Sequence, residues 1–280
     1  NNNDGCSSQC LIERFCGNKI IEPREECDDG NQINSDGCSD KCLIEIVCGN
    51  NTIEPREECY DDNLVAYWSF DVNHTLDNNK TYDYTANNND GKVIGGARWN
   101  KTCLYNNCYE FDGVDDYVDA GIGTGNFNST DRFSISAWIY VNNVTTGIDA
   151  FVTRALDGGR GWYIAFDDSD VAGINAVSAD YYDGTNYDRI RTSNNAITKG
   201  VWTHIVFTRD NTNTHTGMKF YKNGVENSVQ IDGGTPSNIN YTSLTLQLGA
   251  RGTTGNLFDG NIDEVMIFNV SLNSSEITNI

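Results

Sequence analysis

The sequence predicts an all-β protein: an antiparallel two-sheet sandwich preceded by a small region held by disulfides. Three observations predict it. From Leu64 onward, short stretches of alternating apolar and polar residues recur, separated by Gly, Asn and Asp. Helical periodicity appears only at the end, where Asn273-Ser274-Ser275-Glu276 has the form of an N-cap and first turn. Eight of the ten cysteines fall before residue 60, in a segment too short for a core of its own. The expected division is residues 1–63 and 64–280.

The first region is a repeat. At a shift of 32, CGNKIIEPREECDDGN (Cys16–Asn31) matches CGNNTIEPREECYDDN (Cys48–Asn63) at 12 of 16 positions, and DGCSSQCLIE (Asp4–Glu13) returns as DGCSDKCLIE (Asp36–Glu45). Such self-similarity marks a linear array of small units, each leaning on the next. No cysteine pair has the C-x-x-C spacing of zinc ribbons and redox motifs. Cys6, Cys10, Cys16, Cys27, Cys38, Cys42, Cys48 and Cys59 therefore read as a disulfide framework. Two schemes leave none unpaired. Either Cys6 and Cys10 join Cys16 and Cys27 while Cys38 and Cys42 join Cys48 and Cys59, or each half closes on itself. The first is preferred because it would stiffen the array into a rod, each bridge contributing roughly 2–3 kcal/mol. Spacing alone leaves the connectivity open. By its cysteine spacings and acidic loop, the region resembles the short disulfide repeat of myxobacterial-type secreted surface proteins.

Asp28, Asp29, Asn31, Asn34 and Asp36 fall within nine residues, punctuated by Gly30 and Gly37. Calcium takes six to eight oxygens on a loop that can curl, so a structural Ca2+ is expected here. The competing reading is a solvated turn, since Asp, Asn and Gly are the ordinary turn residues. The second copy, Tyr60-Asp61-Asp62-Asn63, lacks the glycine, and the site is not carried there.

The net charge is −21, from 40 acidic and 19 basic residues, and residues 1–63 alone hold 15 of the acids against 5 bases. That balance repels nucleic acid and anionic membrane, and no apolar run is long enough to span a bilayer. The expected partners are a glycan or a surface protein, or further copies of the chain in a homopolymer. The acceptor pattern for N-glycans occurs nine times, at Asn50, Asn73, Asn79, Asn100, Asn128, Asn143, Asn240, Asn269 and Asn273. With the cysteines it points to an extracellular, cell-surface chain. No signal peptide precedes Asn1 and the repeat begins in mid-unit, so the chain reads as a mature form or a piece of a longer protein.

In the second region, Phe133–Val141 alternates with the period of a half-buried strand. WTHIVFT (Trp202–Thr208), MKFYKNG (Met218–Gly224), LTLQLGA (Leu244–Ala250) and IDEVMIFN (Ile262–Asn269) read the same way, and Lys222-Asn223-Gly224 is a tight hairpin signal. Cys103 and Cys108 bracket LYNN just before YEF and are expected to bridge a hairpin tip.

LVAYWSFD (Leu64–Asp71), YEFDGVDDYVDAG (Tyr109–Gly121), FSISAWIYV (Phe133–Val141), GVWTHIVFTRD (Gly200–Asp210), FYKNGVE (Phe220–Glu226) and FDGNIDEVMIFNVSLNSSEI (Phe258–Ile277) occur in one order. Together they resemble the laminin-G-like domain of the concanavalin A-like lectin/glucanase superfamily, which implies a jelly roll over 64–280. The resemblance also implies a structural calcium at Asp71 and Asp263, with carbonyls near Asp112 and Gly113 completing the shell. Against it stands a strand-edge pair, Asp263 and Glu264, bonded to neighbouring amides, with Arg98 or Arg251 as partners for Glu264. The catalytic E-x-D-x-x-E of related glucanases is missing. Asp263 and Glu264, adjacent on a strand, are expected to point apart, so no catalytic residue is assigned. His204 beside Trp202 is expected to be structural.

Ligand binding is expected where rings sit among carboxylates. SADYYDGTNYDRIR (Ser178–Arg191) offers Tyr181, Tyr182, Asp183 and Tyr187, and DGGRGWYIAFDDSD (Asp157–Asp170) offers Trp162. The alternative is that Trp162 and Tyr163 are plain strand residues, one inward and one outward. The expected function is a non-catalytic recognition or adhesion module on a rigid disulfide stalk. A head-to-tail fibre or coat subunit is the second reading, and an accessory domain of a secreted hydrolase the third.

Overall fold

The structure, a computed structural model, describes residues 17–19, 28, 30–32, 63–71, 79–101, 103–143, 147–155, 159–168, 175–212, 215–234, 236, 243–252 and 256–280. The eight cysteines from Cys6 to Cys59 lie outside these residues, as do Asp29, Asn34, Asp36 and the acceptor sites Asn50, Asn73 and Asn240. The chain divides into two compact units, Asn1–Asp61 and Asp62–Ile280.

Within the second unit the strands in chain order are β1 (Leu64–Trp68), β2 (Lys80–Thr81), β3 (Gly91–Ile94), β4 (Arg98–Asn100), β5 (Cys108–Asp112) and β6 (Tyr117–Asp119). Then come β7 (Phe133–Asn143), β8 (Ile148–Ala155), β9 (Gly161–Asp167), β10 (Ala176–Tyr182) and β11 (Tyr187–Thr192). Last are β12 (Thr203–Arg209), β13 (Met218–Lys222), β14 (Val225–Asn227), β15 (Val229–Gly233), β16 (Gln247–Leu248) and β17 (Asp259–Phe268), followed by the helix α1 (Ser274–Thr278). Among the described residues they form two antiparallel sheets. One runs β14-β13-β12-β7-β17-β5-β4, with β1 also on β17; the other runs β15-β11-β10-β9-β8-β16-β6-β3-β2. This is the two-layer jelly-roll sandwich the alternation predicts. Among the described residues, no helix is long and apolar enough to cross a membrane.

The inner faces interdigitate as period two requires. Ile135, Ala137, Ile139 and Val141 from β7 meet Trp162, Ile164 and Phe166 from β9 and Val177, Ala179 and Tyr181 from β10 in one buried cluster. Fully burying each large apolar side chain contributes about 1.5–3 kcal/mol. Local signals are obeyed at the ends of elements. Lys222 pairs with Val225, and the two residues between, Asn223 and Gly224, both have positive φ, as a type I′ hairpin demands. Asn273 caps α1 in a reciprocal capping box with Glu276. Cys103 and Cys108 are bridged at the tip of the β4–β5 hairpin. LTLQLGA is strand only at Gln247–Leu248.

Candidate functional site: a tyrosine and arginine pocket on the outer sheet face

A pocket arises from the register of three strands. Pairing sets Gly161 opposite Tyr182 and Tyr182 opposite Tyr187; two residues along, Tyr163 stands opposite Asp180 and Asp180 opposite Arg189. Side chains two apart share a face, so both rows project from the side of β9–β11 turned away from the core. The result is a grid of side chains with one corner empty. Gly161 has φ of 141°, and a Cβ there would lie 2.1 Å from the Arg154 carbonyl oxygen, so the corner must stay empty. Gly159, and Arg251 from the turn after β16, complete the lining of a cavity of about 220 Å³.

Charges and rings are interleaved on this floor. The Arg189 Nε–H donates to Asp180 Oδ1 at 2.6 Å. Its guanidinium carbon lies 5.6 Å from the Tyr187 ring centroid, and that of Arg251 lies 4.4 Å from the centroid of Tyr163. Burial raises the Asp180 carboxyl above its ordinary range, while Arg189, Tyr163 and Arg251 pull it back. Burial also pushes the Tyr163 hydroxyl up, and Asp180 adds to it. For Arg189 burial works against the charge, but Asp180 holds the guanidinium above its usual value.

Of the residues singled out in the sequence, Tyr182 and Tyr187 line this pocket. Trp162 and Tyr181 do not. Each is one step along its strand from a pocket residue, hence on the opposite face, and they are 2% and 1% exposed. The Trp162 indole donates to the Gly125 carbonyl at 2.9 Å, and the Tyr181 hydroxyl donates to the Phe127 carbonyl at 3.3 Å. Arg209 covers the Tyr181 ring at 4.3 Å. The expectation that these two rings meet a ligand is corrected: they are core. The Asp183 Oδ1 accepts from the amides of Thr185 and Asn186, both at 2.7 Å, and so closes the β10–β11 turn beside the pocket. The pocket residues that sequence reasoning missed as site members are Tyr163, Asp180, Arg189 and Arg251. Counting back by two from Tyr182 finds Asp180. Nothing local to Arg251 announces it.

A second cluster lies on β17. Asp263, opposite Trp138, is fully buried; its Oδ1 accepts from the Glu264 amide at 3.0 Å and its Oδ2 has no hydrogen-bond partner among the described residues. The alternation expected here is broken. A bulge follows Asp263, and Glu264 takes φ of 50°. The two carboxylates therefore interact instead of pointing apart. Burial first, then Glu264 and Asp71, push Asp263 up to about 9. Burial, then Asp71, raises Glu264 to about 7 against a 2.5 Å hydrogen bond from the Tyr67 hydroxyl. Glu264 thus pairs with Tyr67 rather than with Arg98 or Arg251. Asp71 is held by Asn107, whose amide N–H donates to its Oδ1 at 3.3 Å. An orphaned buried carboxylate oxygen beside two further acids fits a hard divalent cation. Carbonyls near Asp112 do not belong to that shell. Asp112 pairs with Asp259, four residues along β17 from Asp263, roughly 13 Å away at strand rise. Instead Asp112, Asp115 and Asp116 bring one carboxylate oxygen each within 4.8 Å of one another, a spacing a metal ion could bridge.

In the first unit, Asp28 Oδ2 accepts from the amides of Gly17 and Asn18, at 2.9 and 3.0 Å, and Oδ1 from those of Lys19 and Gly30, at 2.9 and 2.8 Å. A carboxylate has about four lone-pair sites, and all are taken. Desolvation opposes the charge, but the four donors outweigh it and lower the pKa. The expectation that Asp28 ligates calcium is corrected: it clamps a turn. Asn31 is described and half-buried, while its expected co-ligands Asp29, Asn34 and Asp36 lie outside the described residues.

His204 is buried, its Nε2 is 2.7 Å from Ser136 Oγ, and its ring stacks on Trp138 at 5.0 Å. Burial lowers its pKa to about 4, so it is a neutral packed residue, as expected.

The two-layer antiparallel sandwich defines a class, that of concanavalin A-like β-sandwich domains. Residues 112–278 match the family described as the concanavalin A-like lectin/glucanases superfamily, and the chain belongs to it. Residues 1–43 match a family described as a domain of unknown function (DUF4215). No curated protein matches the chain. Among solved structures, domain 4 of AbnA, a GH43 extracellular arabinanase from Geobacillus stearothermophilus, in complex with arabinotriose, is similar over 78% of this chain and 97% of that one, at 19% identity and a TM-score of 0.54. The binding domain of paraclostridial mosquitocidal protein 1 is similar over 78% and 51%, at 21% identity and a TM-score of 0.57. The ligand binding domain of botulinum neurotoxin serotype D, in complex with N-acetylneuraminic acid, is similar over 78% and 50%, at 15% identity and a TM-score of 0.54. This chain spans about half the length of those toxin domains. At such identities the likeness is one of fold.

Proposed function

We propose that the β-sandwich is a non-catalytic, extracellular glycan-binding module, with the Gly161–Tyr182–Tyr187 and Tyr163–Asp180–Arg189 grid as its sugar site. The observation that carries this reading is the empty corner at Gly161, walled by tyrosines and floored by a charged pair. Sugar rings present C–H faces that pack on aromatic rings, and hydroxyls that need fixed donors and acceptors; a concave site with a few placed polar groups supplies both. At about 220 Å³, below the ~300 Å³ typical of drug-sized ligands, it takes one ring of a chain. Solved domains of similar fold include ones in complex with arabinotriose and with N-acetylneuraminic acid, which supports a sugar ligand here.

Residues 1–63 act in this reading as a disulfide-stiffened stalk, and Asp71, Asp263 and Glu264 hold a structural calcium. Likeness to an appended domain of an extracellular arabinanase favours a second reading, an accessory domain that delivers a hydrolase to its polysaccharide. A glycan array probed with the intact chain tests the proposal: binding to a defined sugar set supports it, and no binding by correctly folded protein overturns it. Fusion of the sandwich to a polysaccharide hydrolase in the native gene would select the second reading.

A further inference from the structure

We infer that Asp180 sets the specificity of the pocket by accepting a hydroxyl proton at its Oδ2, so that the ligand is a neutral sugar ring with a free hydroxyl at that point. The inference rests on the glycan reading above and adds which group of the sugar is read. Asp180 lines the cavity but is itself only 5% exposed. One of its oxygens is committed: Oδ1 accepts from the Arg189 Nε–H at 2.6 Å. The other, Oδ2, is buried and has no hydrogen-bond partner among the described residues. The Tyr163 hydroxyl feels the charge of Asp180, yet it makes no hydrogen bond of normal geometry to Oδ2.

A carboxylate oxygen shut away from solvent without a donor costs the free protein desolvation that nothing in the fold returns. Buried polar atoms are almost always hydrogen-bonded, so an orphan in the wall of a cavity marks a place for a ligand's donor. The ion pair with Arg189 fixes the plane of the carboxyl and keeps it ionised, and an ionised carboxylate only accepts. Its complement must therefore donate. A sugar hydroxyl does so through a charge-assisted bond; an ether, a carboxylate or a sulfate oxygen does not. The guanidinium already at Oδ1 disfavours an ammonium as the donor, which leaves the neutral hydroxyl. Asp180 and Tyr182 share one face of β10 two residues apart, roughly 7 Å at strand rise. A single ring packed on Tyr182, in the corner that Gly161 keeps open, thus brings a hydroxyl to Asp180.

Titration of the intact chain, followed by its own NMR signals, tests this with methyl α-arabinofuranoside, methyl β-galactoside, methyl β-glucoside and methyl α-mannoside. Each is paired with its set of monodeoxyfluoro analogues, in which fluorine replaces one hydroxyl at similar size and cannot donate. At least one parent is expected to bind, and one of its analogues is expected to bind about tenfold or more weakly, because a site built around a hydroxyl rejects the ring that lacks it. In Asp180→Asn the amide oxygen remains the acceptor for Arg189, which turns the amide nitrogen towards the sugar. That parent and that analogue are then expected to bind with comparable affinity. Analogues that all match their parent in the wild type overturn the hydroxyl contact and leave the glycan reading standing, a comparison that needs no variant to fold. An undiminished gap in folded Asp180→Asn takes the contact away from Asp180 and likewise spares the glycan reading. Failure of every parent glycoside to bind protein of native melting temperature overturns both.

Discussion

Gly161 and Tyr182 stand opposite each other across β9 and β10, so a missing side chain faces a large aromatic one on the outer surface of the sheet. That single mismatch in an otherwise filled ladder makes the cavity. With φ of 141° and the Arg154 carbonyl 2.1 Å from any added Cβ, Gly161→Ala is expected to destabilise the domain by about 1–3 kcal/mol through backbone strain. Denaturant unfolding measures it; an unchanged midpoint would contradict the geometry.

Adjacent tyrosines separate core from site. Tyr181→Ala removes a buried ring beneath Arg209 and should cost about 3–5 kcal/mol. Tyr182→Ala removes a half-buried pocket ring and should cost about 1 kcal/mol or less. Chemical denaturation of the two single variants decides; equal losses would mean the strand register is wrong.

The acids on β17 predict a response to metal. Asp263→Asn should stabilise the calcium-free protein, because it removes a buried carboxylate with one orphaned oxygen. The same change should abolish stabilisation by calcium, which in the wild type should reach about 2.7 kcal/mol at a hundredfold excess over Kd. Melting curves in EDTA and in calcium test both halves. A calcium shift of the same size in the variant would place the ion elsewhere, with Asp112, Asp115 and Asp116 the next residues to substitute.

His204 gives the sandwich a dependence on pH. Its folded pKa is about 4, set by burial, against an ordinary value of 6.5. Between those values the unfolded chain binds the extra proton and the folded one does not. The contribution is therefore full above pH 6.5 and lost as pH falls towards 4, amounting to about 3 kcal/mol. In a His204→Gln variant that part of the acid sensitivity should vanish. A wild-type and variant pair losing stability in parallel from pH 7 to 4 would assign the effect to other groups.

Much of this was legible in the sequence because it was local. The Asn223-Gly224 turn, the Asn273 cap and the Cys103–Cys108 bridge each depend on neighbours in the chain. What was not legible depended on register or on irregularity. Composition singled out the segment Ser178–Arg191, yet whether Tyr181 or Tyr182 faces solvent turns on a one-residue choice that reverses every side chain. The bulge after Asp263 undoes the alternation that otherwise sends Asp263 and Glu264 apart. Arg251 reaches the Tyr163 ring from a turn far along the chain, a contact no window of sequence contains. Asp28 looked like a cation ligand by type, but its oxygens were already committed to four amides.

The sugar site on the outer face of β9–β11 is tested most directly by one comparison on a glycan array, the wild type against a Tyr182→Ala, Tyr187→Ala double variant of matched melting temperature. Binding by the wild type that disappears in the variant is the predicted result. Undiminished binding by the variant would contradict it and move the ligand to another part of the molecule.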